Sequence, residues 1–447
     1  MDPKTTSRRT FLSLALGAPI GAALAACGSS GPSTGTSASN GGATGAATYW
    51  FLSGKPQEDV RNASVERFNK ANPGSTLKTT MFANDDYKTK VKTALGAGQA
   101  PTILWGWGGG GLKSWVDAGQ VEDLTSFFSD NAAVKDKIFP SAFGAATIDD
   151  KVYALPTETV TPIVFYYNKQ AFEKIGAQPP QSWGDIMDLV PKFNAKNIAP
   201  FSLAGQSRWT NMMWLEFLFD RIGGSEVFDA IFAGEKDAWS NPAAIDALTK
   251  TQDLVKAKGF SKGFSSIAAD NNADQALLYT GKAAMMVHGA WTYGSMKSDG
   301  GKFVSGGDLG YMNFPPVDGG KGDPSDTVGN PGQYLSISSK ASTEQKETAK
   351  KFFTEGVLDD EEVKQWIGTG GVPVLKGTQD LLAADKNAEF LKFTYDIASN
   401  AKTFAQSWDQ ALSPTAAEAL LDNIVKLFQL SISPTQFADN LNAVIGQ

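Results

Sequence analysis

The 447-residue sequence has one cysteine and one histidine. The lone cysteine, Cys27, excludes an intramolecular disulfide or a thiolate metal cluster. The lone histidine, His288, lacks a second imidazole for a His-based metal site, and no catalytic motif surrounds it. It ends an apolar strand, where a satisfied structural histidine fits better than a ligand or base. No phosphate-binding P-loop and no spaced set of metal ligands is present. No motif in the sequence calls for a cofactor. Charge is modest and tilted to the acidic side: 40 Lys and Arg face 47 Asp and Glu, a net charge of −7. That balance argues against nucleic acid as a partner. Beyond residue 26 no segment approaches the run of about 20 apolar residues that a membrane span requires.

The N-terminus carries the sharpest positive signal. Arg8-Arg9 stand before Phe11-Leu12, and the run from Phe11 to Ala26 is apolar and uncharged. A basic start, a short apolar core and small terminal residues read as an export signal. The arginine pair resembles a twin-arginine signal. The run closes on Leu24-Ala25-Ala26-Cys27, which resembles a bacterial lipobox and implies lipidation at Cys27. Residues 1–26 are then the signal and 27–47 the lipidated cysteine with a Gly/Ser/Thr tether. Such a segment buries too little apolar surface to order itself. Removing the signal, net +2, leaves an acidic body of −9.

From Thr48 the sequence alternates strand and helix signals. Thr48–Leu52, Ser75–Phe82 and Thr102–Trp105 read as strands separated by helices, an order that implies a parallel α/β sheet with helices on both faces. Ligands bind beyond the C-terminal ends of such strands. The ends here are Ser53-Gly54-Lys55, Ala83-Asn84-Asp85 and Trp105-Gly106-Trp107. Ser413-Pro414 and Ser433-Pro434 each place a cap before a proline at the first helical position.

Four ordered stretches resemble the extracellular solute-binding proteins of family 1, the maltodextrin-binding type. They are Leu155-Pro156 through Phe165-Tyr166-Tyr167-Asn168-Lys169, Gly281-Lys282-Ala283-Ala284-Met285, Gly289-Ala290-Trp291, and Trp408 ahead of a C-terminal helix pair. The resemblance implies a two-lobed α/β fold of the type II binding-protein kind, each lobe a mainly parallel sheet flanked by helices, with the ligand in the cleft between them. By that likeness one lobe spans 48–157 plus 329–373 and the other 158–328 plus 374–447. The crossings are expected near 156–161, 315–328 and 373.

A sugar offers apolar C–H faces and a rim of hydroxyls, so its site needs flat aromatic platforms and planar polar groups. Eleven tryptophans are present. Trp107, Trp209, Trp291 and Trp408 fall on expected cleft loops, with Trp105 a further candidate. The family counterpart of Trp291 stacks on sugar. The glycines around Trp107 are expected to let backbone and ring approach a ligand. Asn84, Asp85, Glu158, Arg208, Gln333, Asn330 and Lys55 are the candidate polar partners. The resemblance implies an oligosaccharide ligand, lobe closure upon it, docking of a monomer onto two permease subunits, and an ATPase acting through them. The Gly-rich loop and the signal together look most like xylobiose- and xylo-oligosaccharide-binding members. Chitobiose, cello- or malto-oligosaccharides stay open, as do a polyamine, phosphate and, more remotely, a glycoside-active enzyme.

Overall fold

A computed structural model describes residues 46–447. The export signal, Cys27 and nearly all of the tether expected at 27–47 lie outside the described residues.

Two sheets organise the chain. The first takes β1 (Ala47–Leu52), β2 (Leu77–Phe82) and β3 (Ile103–Gly106) from its N-terminal part. After a two-stranded hairpin of β4 (Thr147–Ile148) and β5 (Lys151–Val152), β6 (Leu155–Thr157) joins the same sheet. The second sheet is built on the long β7 (Thr159–Asn168) with β8 (Ala199–Ser202), β9 (Ala283–Gly289), β10 (Leu309–Met312) and β11 (Thr327–Asn330). β12 (Gln333–Ile337) returns to the first sheet, and β13 (Val372–Pro373) and β14 (Phe404–Gln406) to the second. The orders are β2-β1-β3-β12-β6 and β14-β11-β7-β9-β8.

The α/β class holds, with two sheet-containing domains, but the sheets are mixed rather than mainly parallel. β1 pairs parallel with β2 and β3, where a helix carries the chain back each time. β12 enters antiparallel to β3 and β6 because it arrives from the other domain. β7 is antiparallel to β9, β10, β11 and β13.

Local sequence explains the elements that frame the cleft. Helix α1 (Gln57–Ala71) buries Val60, Arg61, Ser64, Val65 and Phe68, a single face at helical spacing, and stops before Pro73. Helix α2 (Asn84–Gly96) buries Tyr87, Val91, Ala94 and Leu95. Ser413 and Ser433 cap the last two helices, accepting from the backbone N–H groups of Ala416 and Gln436. Among the described residues no helix is long and apolar enough to cross a membrane.

The chain changes sheets at Glu158, which has a positive φ of 60°. It changes again between Asn330 and Gln333, later than the expected 315–328: Phe314, Val317 and Val328 pack in the core of the second domain. Nor does residue 374 begin the second lobe. Val374, Leu375, Leu382 and Leu391 pack in the core of the first domain, and Leu375 bridges Ile138. The break at Pro373 turns the chain, but Val374, Leu375 and Leu382 still pack on the first domain, while Phe390 packs against Tyr166 and Tyr293 of the second.

Candidate functional site

The ends of β1, β2 and β3 form one wall of a cleft, with Gly54, Lys55, Asn84 and Trp107 among its residues. The opposite wall carries Trp209, Gln275, His288, Trp291 and Ser295, and the floor is made by Thr159, Thr161, Asn330 and Gln333. The cavity measures about 220 Å³.

Trp209 and Trp291 stand together on the second wall. Their rings are 6.1 Å apart and tilted by 46°. The Trp291 indole folds back over Gly289, so close that a Cβ there would lie 1.9–2.1 Å from three ring atoms. Trp209 Nε1 is buried and has no hydrogen-bond partner, and the same holds for Asn330 Oδ1 on the floor. Both atoms belong to residues that line the cavity.

Trp107 also lines the cavity, but Lys88 Nζ sits 5.0 Å from its ring centroid and Trp105 meets it edge-on at 4.7 Å. Lys88 reaches across the cleft to Asp409 Oδ2 at 3.0 Å. Three further bonds tie the walls. Gln57 Nε2 donates to the Trp291 carbonyl at 3.0 Å, Gln406 Nε2 to the Trp107 carbonyl at 2.8 Å, and the Asp85 N–H to Asp270 Oδ2 at 3.3 Å. Sequence reading missed Lys88, Asp409, Gln57 and Asp270. The spacing Tyr87, Val91, Leu95 that marks α2 carries the one signal for Lys88, which follows the buried Tyr87.

Several expected site residues are placed elsewhere. Trp408 is 1% exposed, stacked on Phe228 at 4.5 Å and packed by Phe219 and Trp239. It is a core residue of the second domain, not a platform. Arg208 is absent from the cleft wall and bridges Glu418 and Asp422, both at 2.8 Å. Asp85 is exposed beside the cleft and does not line it. Asn84 lines it and donates to Asp85 Oδ1 at 2.8 Å. Lys55 lines it as well, 3.3 Å from Asp59. Gln333 Oε1 accepts the Thr159 N–H at 3.2 Å.

Glu158 lines the cleft, yet its oxygens are already engaged. Arg61 Nε and Nη2 donate to them at 2.7 Å each, and Trp105 Nε1 donates at 2.7 Å. The fork match makes this a bidentate pair. Burial alone would depress the Arg61 guanidinium, but the adjacent Glu158 carboxylate outweighs it and raises it. Glu158 and Trp105 thus brace the first crossing rather than wait for a hydroxyl.

The glycines after β3 also serve a different end. A Cβ at Gly110 would come within 2.1 Å of the Leu412 carbonyl, and one at Gly109 within 2.6 Å of the Gln410 carbonyl. They let helix α3 (Gly109–Asp117) approach the segment 406–412 of the other domain, whose backbone carbonyls and Gln406 side chain occupy the space.

Behind Trp408 lies a buried carboxyl. Glu216 accepts the Trp408 N–H at 2.7 Å, and burial pushes it from 4.5 up to about 8. The folded state keeps a proton that the unfolded chain releases. This stabilisation is complete below the unfolded value of 4.5 and is lost as pH rises through about 8. Glu216→Gln keeps an acceptor for Trp408 and has no proton to lose. Thermal melts across that range are expected to show a smaller decline for the variant than for the wild type.

The sequence pattern described as "Bacterial extracellular solute-binding protein" matches residues 54–363. The multiple sugar-binding protein of Streptococcus mutans is 26% identical over 77% of this chain and 78% of its own. A structure solved in work on xylan utilization by the thermophilic bacterium Caldanaerobius polysaccharolyticus is 28% identical, with a TM-score of 0.80 over 90% of this chain and 100% of the other. A chitin oligosaccharide binding protein shares the fold, with a TM-score of 0.80 at 24% identity over 90% of this chain and 98% of its own. The family pattern spans well over half of the sequence and takes in strands of both sheets. The chain therefore belongs to the bacterial extracellular solute-binding proteins.

Proposed function

We propose that the protein is the sugar-capturing subunit of an ABC importer and that the cleft binds a short neutral oligosaccharide. The observation that carries this reading is the Trp209–Trp291 pair on one wall, with the unpartnered Trp209 Nε1 and Asn330 Oδ1 beside it. Indole faces suit the C–H faces of a pyranose, and buried polar atoms suit its hydroxyls. The charged groups of the cleft are largely neutralised internally, as Arg61 with Glu158, Lys88 with Asp409 and Lys55 with Asp59. A phosphate or a polyamine would find few free counter-charges there. The relative named for multiple sugars points to the same class of cargo.

Xylobiose or a xylo-oligosaccharide is the preferred ligand, on the likeness to the structure from xylan utilization. The protein acts as a monomeric receptor without catalysis. It is exported, anchored outside the membrane through lipid on Cys27, and delivers its cargo to two permease subunits driven by an ATPase. Calorimetry of the full chain with xylobiose, cellobiose, chitobiose and maltose tests this. The expected result is a dissociation constant of about 1 µM or tighter, near −8 kcal/mol, for at least one of them. Binding of none would overturn the assignment.

Lys88→Met removes the strut to Asp409 and the cation over Trp107 while keeping the apolar stem. The expected result is an affinity lower by about threefold to tenfold, the scale of one partly buried charge pair. The same titration reads it.

A further inference from the structure

The one histidine of the chain sits beneath the indole pair. His288 ends β9, is 2% exposed and lines the cleft. Trp209 and Trp291 both meet its ring at 5.4 Å, at interplanar angles of 89° and 79°. Its Nδ1 accepts the backbone N–H of Gly289 at 2.8 Å. A nitrogen that accepts carries no proton, so the neutral ring bears its proton on Nε2. Nε2 faces Asp274 Oδ2 at 3.3 Å, short of hydrogen-bond alignment, and Asp274 is 1% exposed.

We propose that His288 is the positioning residue of the sugar platform, with Nδ1 fixing the Gly289–Trp291 turn and both indoles seated against the ring. This rests on the reading of the cleft as a sugar site. The turn is where position matters, because Trp291 folds back over Gly289. Asp274, on the helix Ala273–Tyr279, is the charged group that faces the imidazole. The helix Trp209–Gly223 and the turn itself present the neutral rings of Trp209 and Trp291, and β7 presents neutral Val164 beside it. Asp270, Asp409 and Lys88 line the same cleft. Protonating Nδ1 would set one donor against another at Gly289. The imidazolium therefore cannot keep the turn as it is, and acid weakens sugar binding through the platform.

The test uses the full chain without a polyhistidine tag, so that one imidazole gives all the ring signals. Nitrogen resonances of His288 are followed with pH, together with calorimetry against the four disaccharides, for the wild type, His288→Asn and His288→Gln. Asparagine retains an acceptor near the place of Nδ1; glutamine retains a donor toward Asp274. Thermal melts confirm that each variant is folded.

The expected ring state is Nε2 protonated and Nδ1 bare, with wild-type affinity falling in step with ring protonation. His288→Gln is expected to bind about tenfold more weakly, as for one buried hydrogen bond lost, and His288→Asn less so. Both variants should lose the acid-side decline. A proton on Nδ1 in the neutral ring, wild-type affinity in His288→Gln, or a wild-type affinity indifferent to ring protonation overturns the proposal. If none of the four sugars binds the wild type, the sugar reading fails by itself. Indole fluorescence of the ligand-free protein then decides the positioning. A change on acidification that His288→Asn abolishes supports it, and no change in the wild type overturns it.

Discussion

Gly289→Ala is expected to lose at least about tenfold in sugar affinity while the protein stays folded, because it removes an aromatic platform. The backbone at 289 is not among the positive-φ positions, so an alanine imposes no strain on the chain itself. What it meets is a side chain. Its Cβ would lie 1.9 Å from Trp291 Cζ3 and 2.1 Å from Cε3 and Cη2. Real carbon atoms do not approach so closely, and the indole is the part free to move. The ring must leave its place against His288 and Trp209. Trp291→Ala should cost a similar amount. Calorimetry measures the loss, and far-ultraviolet circular dichroism with a thermal melt verifies the fold. Wild-type affinity in Gly289→Ala would mean that the ring does not touch the ligand.

The second large effect concerns stability. Glu158→Ala leaves the Arg61 guanidinium buried, at 7% exposure, without its bidentate partner. It also strips Trp105 Nε1 of its acceptor. Breaking one side of a buried pair costs about 3–5 kcal/mol, because the remaining charge stays desolvated. Denaturant unfolding should show a loss of that size for Glu158→Ala. The combination with Arg61→Met should cost clearly less than the sum of the two single changes, the mark of direct coupling. Arg61 also donates to the Leu52 carbonyl, at 3.0 Å, so that part of its desolvation is met with or without Glu158. A loss below about 1 kcal/mol would show that the cleft hydrates the pair as it does a surface one.

Both effects involve residues whose meaning lies in distant parts of the chain, and this separates what the sequence makes legible from what it does not. The first three strands and the capped C-terminal helices follow from local patterning, and the structure places them within a residue or two. Trp107, Trp209 and Trp291 were legible as cleft residues because strand ends and helix starts point toward the cleft in an α/β sheet. Trp408 looked alike in its local setting, ahead of a capped helix. Its ring is enclosed by Phe219, Phe228 and Trp239, supplied some 170–190 positions earlier. Arg208 likewise turns to Glu418 and Asp422 on the helix Pro414–Phe428. Glu158 stood at the expected crossing, but its partner Arg61 is 97 positions away. Long-range pairing of charge and packing of rings leave no local signature. The glycines after Trp105 illustrate the same point, since local sequence shows that something must come close and not what it is.

Whether a neutral sugar lies against Trp209 and Trp291 in this cleft is read most directly from a crystal structure of the full chain with the tightest-binding disaccharide. A pyranose face is expected within about 4 Å of the Trp291 indole, ordinary van der Waals contact. Hydroxyl bonds to Trp209 Nε1 and Asn330 Oδ1 are expected at about 2.7–3.2 Å. A sugar bound elsewhere, or one in the cleft that leaves those two atoms unpartnered, would contradict that placement.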